Sequence, residues 1–269
     1  MNIVVTGGTD GIGLALVKNL LSLNHNVKMV GKDTKKAERI LNSLNNSKLE
    51  FFKCDLSEKR EINELIHKMN NLSSIDVLVN NAGAIFDKRE LNSEGIEKTF
   101  ALNHLSYLQL SLGLKKKLED SKLGRIINIT SNVHKNYDID INDLQNEIKY
   151  TGWKAYCRSK LLNILITYSF KKELNTNINC NCLHPGFVNS NFGNNNKNFY
   201  RFLIRFVKNL FAISNEKASL SPLYIATSKN LDGVNGKYFD KLKEVKSSKV
   251  SYDNNLQKII WQESLKYLQ

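Results

Sequence analysis

Tyr156 and Lys160 stand four residues apart in a stretch, Thr151 to Phe170, where apolar residues recur at helical spacing (Leu161, Leu162, Ile164, Leu165, Ile166). No glycine or proline follows Gly152 in that stretch. Four apart on a helix is one face, so a phenol and an ammonium would lie side by side. A phenol titrates near pH ~10 and carries protons poorly at neutral pH, but a neighbouring ammonium favours the phenolate and lowers that value. Such a pair can act as a general acid or base. The same spacing also describes an aromatic and a cation that merely share a face, so the surrounding elements decide.

The chain opens with a short buried-strand pattern, Ile3-Val4-Val5-Thr6, then Gly7-Gly8-Thr9-Asp10-Gly11-Ile12-Gly13, then a helical pattern through Leu14, Leu16, Val17, Leu20 and Leu21. Strand, glycine-rich turn and helix is the context in which Gly7, Gly11 and Gly13 let a backbone turn tightly and approach a pyrophosphate at a helix N-terminus. A second strand, Asn26 to Val30, runs into Gly31-Lys32-Asp33. In dinucleotide folds an acid there grips the ribose 2′-OH of NAD, whereas a basic residue accommodates the 2′-phosphate of NADP. Lys32 comes first, which favours NADP; Asp33 is also placed to cap the next helix, and Lys32 to be a solvated loop charge.

Further strands are expected at Leu49 to Lys53, Ile75 to Val79, Gly124 to Ser131 and Ile178 to Leu183, with Ser57 capping the helix that carries Ile62, Leu65, Ile66 and Met69. Apolar strands alternating with helices imply a parallel sheet covered on both faces, with ligands at the carboxyl ends of the strands. Asp55, the run Asn80-Asn81-Ala82-Gly83, Ser131 and His184-Pro185-Gly186-Phe187-Val188 all fall at such ends. A long helix through Phe100, Leu102, Leu105, Leu108 and Leu110 carries Asn103 among apolar neighbours, where it is either a satisfied core amide or a holder of a water or carbonyl near a site. Ser131 precedes Tyr156 by 25 residues, room for a loop with a short apolar register at Ile139, Ile141 and Leu144. Together these predict a single α/β domain over residues 1–269, Rossmann-like, a doubly wound parallel sheet of about seven strands flanked by helices.

The formal charge of +13 comes from scattered lysines, beside heavy use of asparagine, and no nucleic-acid-binding motif accompanies it. Cys54, Cys157, Cys180 and Cys182 read as buried thiols in a reducing compartment, with Cys180 and Cys182 on one face of a strand and no metal-ligand cluster. Neither a signal peptide nor an apolar run of the ~20 residues needed for a membrane span is read, so the expected location is cytoplasmic.

The glycine loop, Asn80-Asn81-Ala82-Gly83, Asn103, Ser131, Tyr156-x-x-x-Lys160 and Pro185-Gly186, in that order, resemble the short-chain dehydrogenase/reductase superfamily over nearly the whole length. Asp143-Leu144-Gln145, the run from Ala155 to Leu165, Gly233 to Phe239 and Trp261 are similar to its retinol-dehydrogenase-like branch. The resemblance implies an NADP(H)-dependent oxidoreductase, with NAD(H) as the alternative cofactor, interconverting a lipophilic alcohol and its carbonyl of retinoid, polyprenoid or steroid type. It implies Tyr156 as the proton donor or acceptor, Lys160 lowering its pKa and holding the nicotinamide ribose, Ser131 at the substrate oxygen, and Asn103 supporting a water-linked proton relay. It further implies cofactor contacts from Thr6, Gly7, Gly11, Ile12, Gly13, Lys32, Asp55, Leu56, Asn81, Ala82, Gly83, Pro185, Gly186, Val188 and Ser190, the last standing where the family usually has threonine. Ser106 stands where the branch often has glycine.

Residues 197–213 pair Arg201, Arg205 and Lys208 on one helical face with Phe199, Phe202, Leu203, Phe206 and Leu210 around the others. That pattern fits a lid helix over the substrate or a helix in peripheral contact with an anionic membrane. A homodimer is a further expected association, and a nucleotide-sensing scaffold without chemistry is the rival from another class.

Overall fold

The computed structural model describes residues 1–186 and 213–269. Its first strand is β1 (Asn2–Thr6), whose residues alternate between two cores. Val4 packs with the apolar side chains of one face, Ile3 and Val5 with those of the other. β4 (Val77–Asn80) and β5 (Arg125–Ile129) repeat the alternation, with Leu78 and Ile126 on the first face and Val77, Val79 and Ile127 on the second. Because side chains of a strand point alternately up and down, strands covered on both faces read as continuous apolar runs.

Among the described residues eight strands form one sheet in the order β3-β2-β1-β4-β5-β6-β7-β8, where β2 is Asn26–Gly31, β3 Leu49–Lys53, β6 Asn179–His184, β7 Tyr238–Asp240 and β8 Lys243–Glu244. All pairings are parallel except the last. The eighth strand exceeds the expected number: Lys241, left-handed at φ 55°, turns the chain back, and the two charged residues that follow blunt the sheet edge. So short a charged segment has no apolar pattern by which to be read.

Helices α1 (Gly11–Ser22) and α2 (Thr34–Leu44) cover one face, joined by the later helix Asn215–Thr227. The other face carries α3 (Lys59–Asn70), α4 (Lys98–Phe100), α5 (Ser106–Gly113), the short α6 (Lys115–Glu119) and α7 (Gly152–Leu174). In chain order Asn215–Thr227 is α8, and α9 is Asn254–Lys266, packed on α7 through Trp261 against the Phe170 ring. Asp33 caps α2 as expected, accepting from the Lys36 backbone N–H at 3.0 Å. Ser57 does not cap α3: Glu58 holds that position, and the Ser57 hydroxyl is spent on Asp55 at 2.7 Å.

The long helix expected through Phe100 is interrupted. Between α4 and α5 the residues Ala101–Leu105 form a π-turn, a wide turn that re-aims side chains and is frequent at functional sites. The loop before α7 contains two 3-10 turns, Asn132–Asn136 and Ile141–Asp143, and of its three expected apolar anchors Leu144 is buried while Ile141 faces solvent. That loop is held by polar contacts instead. The Asp143 carbonyl accepts from Arg158 of α7, and Gln145 accepts from the Glu97 N–H at 3.0 Å and from Arg89 at 3.3 Å. All four cysteines are free and buried. Among the described residues no helix is long and apolar enough to cross a membrane.

Candidate active site

The strand order reverses between β1 and β4, and the crevice at their carboxyl ends is where such a sheet binds ligands. Thr6 closes its floor. Its hydroxyl accepts from the Asn81 and Ala82 N–H groups at 2.8 and 3.0 Å and donates to the Val79 carbonyl at 3.3 Å. Asn81 returns a bond from its amide to the Thr6 carbonyl at 2.8 Å. Gly7 and Gly11 adopt left-handed backbone at φ 63° and 52°. A Cβ on Gly13 would lie 2.2 Å from the Gly7 oxygen, so only glycine lets α1 start this close to the strand. Asp10 is the N-cap of α1, its carboxylate accepting from the Gly11 N–H at 2.7 Å and pairing with the Lys36 ammonium, and no acid stands in the first turn itself. Gly7, Gly11, Ile12 and Gly13 together with Asn81, Ala82 and Gly83 therefore fit the diphosphate and ribose of a dinucleotide.

At the end of β2 the Lys32 ammonium lies 3.5 Å from the carboxylate of Asp55, which follows β3. Lys32 is mostly exposed, while Leu56 is buried beside the pair. Burial pushes the Asp55 carboxyl up, but the Ser57 N–H and hydroxyl and the Lys32 ammonium outweigh it and hold the group below its ordinary value. One cation and one anion thus share the edge where an adenosine would end.

On the other flank, α7 presents Tyr156 and Lys160. The Thr151 side chain caps the helix, and its first residue must be glycine, because a Cβ on Gly152 would lie 2.2 Å from the Phe86 oxygen. Lys160 is buried, and its ammonium donates to the Ile129 carbonyl at 3.0 Å. It sits 5.5 Å from the ring centroids of both Tyr156 and Tyr107. Burial pulls Lys160 down to about 7. Tyr156 is half-buried, and loss of solvent pushes its phenol up, opposed by a hydrogen bond with the Ser131 side chain. The resemblance implies a lysine that lowers the phenol; in the folded chain the Lys160 ammonium lies over the Tyr156 ring, 5.5 Å from its centroid, while burial acts on the phenol in the opposite direction. Ser131 accepts from the Val133 N–H at 3.5 Å, so its own hydroxyl proton can be given to an oxygen beside Tyr156.

Asn103 lies in the π-turn, fully buried. Its amide group donates to the Ala84 carbonyl at 2.9 Å and to the Ser159 hydroxyl at 3.1 Å, and its side-chain oxygen accepts from the Ala84 N–H at 2.9 Å. Ser159 in turn donates to the Tyr156 carbonyl at 2.7 Å. Asn103 thereby ties the segment after β4 to the helical turn between Tyr156 and Lys160, and a Cβ on Gly83 would stand 3.3 Å from its oxygen and 3.5 Å from the Lys160 ammonium. Ser106 folds its hydroxyl back to the Leu102 carbonyl at 2.6 Å, inside its own helix.

Thr6, the glycine loop, Asn81 to Gly83, Asn103, Ser131, Tyr156 and Lys160 are brought together around this crevice, with Lys32, Asp55 and Leu56 along one edge. Pro185 and Gly186 follow β6, and Gly186 takes φ 102° against the Ile213 side chain. Val188, Ser190 and nearly all of 197–213 lie outside the described residues. Sequence reasoning missed Tyr107, whose ring lies against Lys160 and whose hydroxyl donates to the Ala82 carbonyl at 2.8 Å, and Asn163, which donates to the Asn103 carbonyl at 2.7 Å. Spacing held a signal for both: Tyr107 follows Asn103 by one helical turn, and Asn163 follows Lys160 by three residues.

The family model for short chain dehydrogenase matches residues 1–200. Polyprenol dehydrogenase of Homo sapiens is 30% identical over 273 residues, covering 97% of this chain and 83% of that protein. Retinol dehydrogenase 13 of Mus musculus is also 30% identical over 273 residues, covering 97% and 82%. Among solved structures, an uncharacterized protein from Mycobacterium paratuberculosis superposes with a TM-score of 0.81 over 99% of this chain and 92% of that one, at 23% identity. Serine dehydrogenase in its closed form complexed with NADP+ gives 0.70, over 89% and 94%, at 21% identity. These two structural likenesses are of fold.

Proposed function

The chain belongs to the short chain dehydrogenase family, and on that premise we propose that it interconverts a lipophilic alcohol and its aldehyde or ketone, with NADP(H) as the preferred cofactor. The observation that carries the reading is the convergence of Ser131, Tyr156 and Lys160 beside a crevice shaped by Gly7, Gly11 and Gly13. A nicotinamide seated along that crevice would supply or accept the hydride. The residues of the chain supply the rest. In the reducing direction the Ser131 and Tyr156 hydroxyls donate to the carbonyl oxygen, and the negative charge that grows there meets preplaced donors. Tyr156, a phenol that is protonated at neutral pH and that burial keeps so, gives its proton to that oxygen. Lys160 then stabilises the phenolate left behind. Asn103 fixes Ala84 and Ser159 and so keeps the two flanks in register.

Support for a lipophilic substrate comes from the relatives, named for polyprenol and retinol oxidation. Support for NADP(H) comes from Lys32 at the end of β2. Its ion pair with Asp55 favours a second reading, in which Lys32 braces the acid and NAD(H) is used. Purified protein screened for NADPH and NADH oxidation against retinoid, polyprenoid, steroid and simple aldehyde carbonyls tests both. Tyr156→Phe should lose turnover by about 10³-fold while binding cofactor within about 3-fold of the parent; retained turnover removes Tyr156 from the reaction. Lys32→Ala should erase the preference for NADPH, and an unchanged ratio leaves the NAD-linked reading standing.

A further inference from the structure

Two histidines that the reaction does not use, His104 and His134, are fully buried, and each joins an active-site segment to the C-terminal segment of the chain. Their partners fix their chemistry. The Asn103 carbonyl can only accept, so the Asn163 amide nitrogen faces it at 2.7 Å and the Asn163 oxygen faces His104. The Nδ1 of His104 must then donate to that oxygen at 3.1 Å, and its Nε2 must accept from the Ser264 hydroxyl of α9 at 2.8 Å. The result is a one-way chain of donors: Ser264 to His104, His104 to Asn163, Asn163 to Asn103.

His134 repeats the arrangement on the opposite side. Its Nδ1 lies 2.7 Å from the Ser131 carbonyl and must donate, while its Nε2 accepts from the Ser248 N–H at 3.0 Å. The ring packs edge-on to Tyr238, whose hydroxyl donates to Asn132 at 2.7 Å. Burial lowers the pKa of both histidines, His104 to about 4, in keeping with neutral rings that carry a proton on Nδ1 alone.

We propose that residues 248–264 set the geometry of the active site through these two neutral histidines, with His104, His134, Asn163 and Ser264 as positioning residues for Asn103 and Ser131. This rests on the assignment of Ser131 and Tyr156 to proton transfer given above. A partly formed buried polar chain costs more than none, so each link fixes its neighbours' orientation. A shift of ~1 Å in a catalytic frame can lower a rate by up to about 10²-fold.

The test uses the full chain labelled with 15N-histidine, whose five histidines give resolvable signals. His104 and His134 should both show the Nδ1–H tautomer, and a proton on Nε2 of either overturns the wiring whether or not any variant folds. In the kinetic arm, Asn163→Ala and Ser264→Ala should each lower kcat by about 10-fold at an unchanged KM for the nicotinamide cofactor. Values of kcat within about 2-fold of the parent, or a cofactor KM that rises in step with the loss, overturn the positioning role. Failure of the oxidoreductase reading is distinct: it shows as a parent chain with correct tautomers and no turnover.

Discussion

The two flanks of the crevice are built from different materials. The glycine-loop flank is made by backbone groups brought so close that added atoms do not fit: a Cβ on Gly13 would lie 2.2 Å from the Gly7 oxygen, and one on Gly7 2.9 Å from the Ala82 Cα. Apart from Thr6 and Asn81, few side chains hold it. The α7 flank is made by side chains that find partners far along the chain, with Lys160 on Ile129, Asn163 on Asn103 and Ser264 on His104. One flank is therefore sensitive to volume. The other is sensitive to protonation and to the identity of hydrogen-bonding atoms.

The largest expected effect lies on the α7 flank. In the unfolded chain Lys160 titrates near 10.5, in the folded one near 7. Between these values the unfolded state holds a proton that the folded state has released, so this group makes stability rise with pH across that window and leaves it flat outside. The contribution is up to about 5 kcal/mol. Urea unfolding at a series of pH values should show a stability difference between the parent and Lys160→Met that shifts in the parent's favour from pH 7 to 10.5, the buried thiols acting alike in both; parallel curves would mean that the amine is solvated and the flank is not set by protonation.

Next comes Gly13→Ala, which drives a methyl into the Gly7 carbonyl. Its cost is about 3 kcal/mol in stability, with a matching loss of cofactor affinity, read by unfolding and by NADPH fluorescence titration. A neutral outcome would mean the loop relaxes and the backbone does not define that flank. Thr6→Val keeps the volume and removes the hydroxyl, which leaves two buried N–H groups without their acceptor; about 2 kcal/mol is expected. A value as large as that of Gly13→Ala would show that this flank, too, depends on a side chain. The smallest effect is at Gly95, where φ is 76° but nothing lies within 4 Å of an added Cβ. Gly95→Ala should cost only about 1 kcal/mol, the conformational term alone, and should leave cofactor binding unchanged, which calibrates the volume term at Gly13.

The same difference governs what could be read from the sequence. Close backbone approach demands glycine, so Gly7, Gly11 and Gly13 are written openly in the chain, and β1 and β4 announce themselves by the apolar runs Ile3-Val4-Val5 and Val77-Leu78-Val79. Tyr156 and Lys160 are legible because helical spacing is local. The partner of a buried hydrogen bond is not local: Ser264 lies 160 residues from His104, and Ser248 lies 114 from His134. Nothing in either histidine's neighbourhood marks it as other than a core residue. The π-turn is invisible for a related reason, since inserting one extra residue into a helical turn shifts side chains without changing which residue types are apolar. The Lys32–Asp55 pair joins two strand ends that become neighbours only when β2 and β3 pair, so the lysine reads as a free cation until the sheet forms.

The four buried cysteines carry a practical consequence. Burial pushes the thiols of Cys54 and Cys157 up to about 12, and those of Cys180 and Cys182 up as well, so almost no thiolate exists near neutral pH in the native chain. Alkylating reagents then react only with opened molecules. Cys157 adjoins Tyr156, Cys180 and Cys182 lie within β6, and Cys54 follows β3. The relative rates at which these sites are labelled form a built-in clock for which part of the molecule opens first.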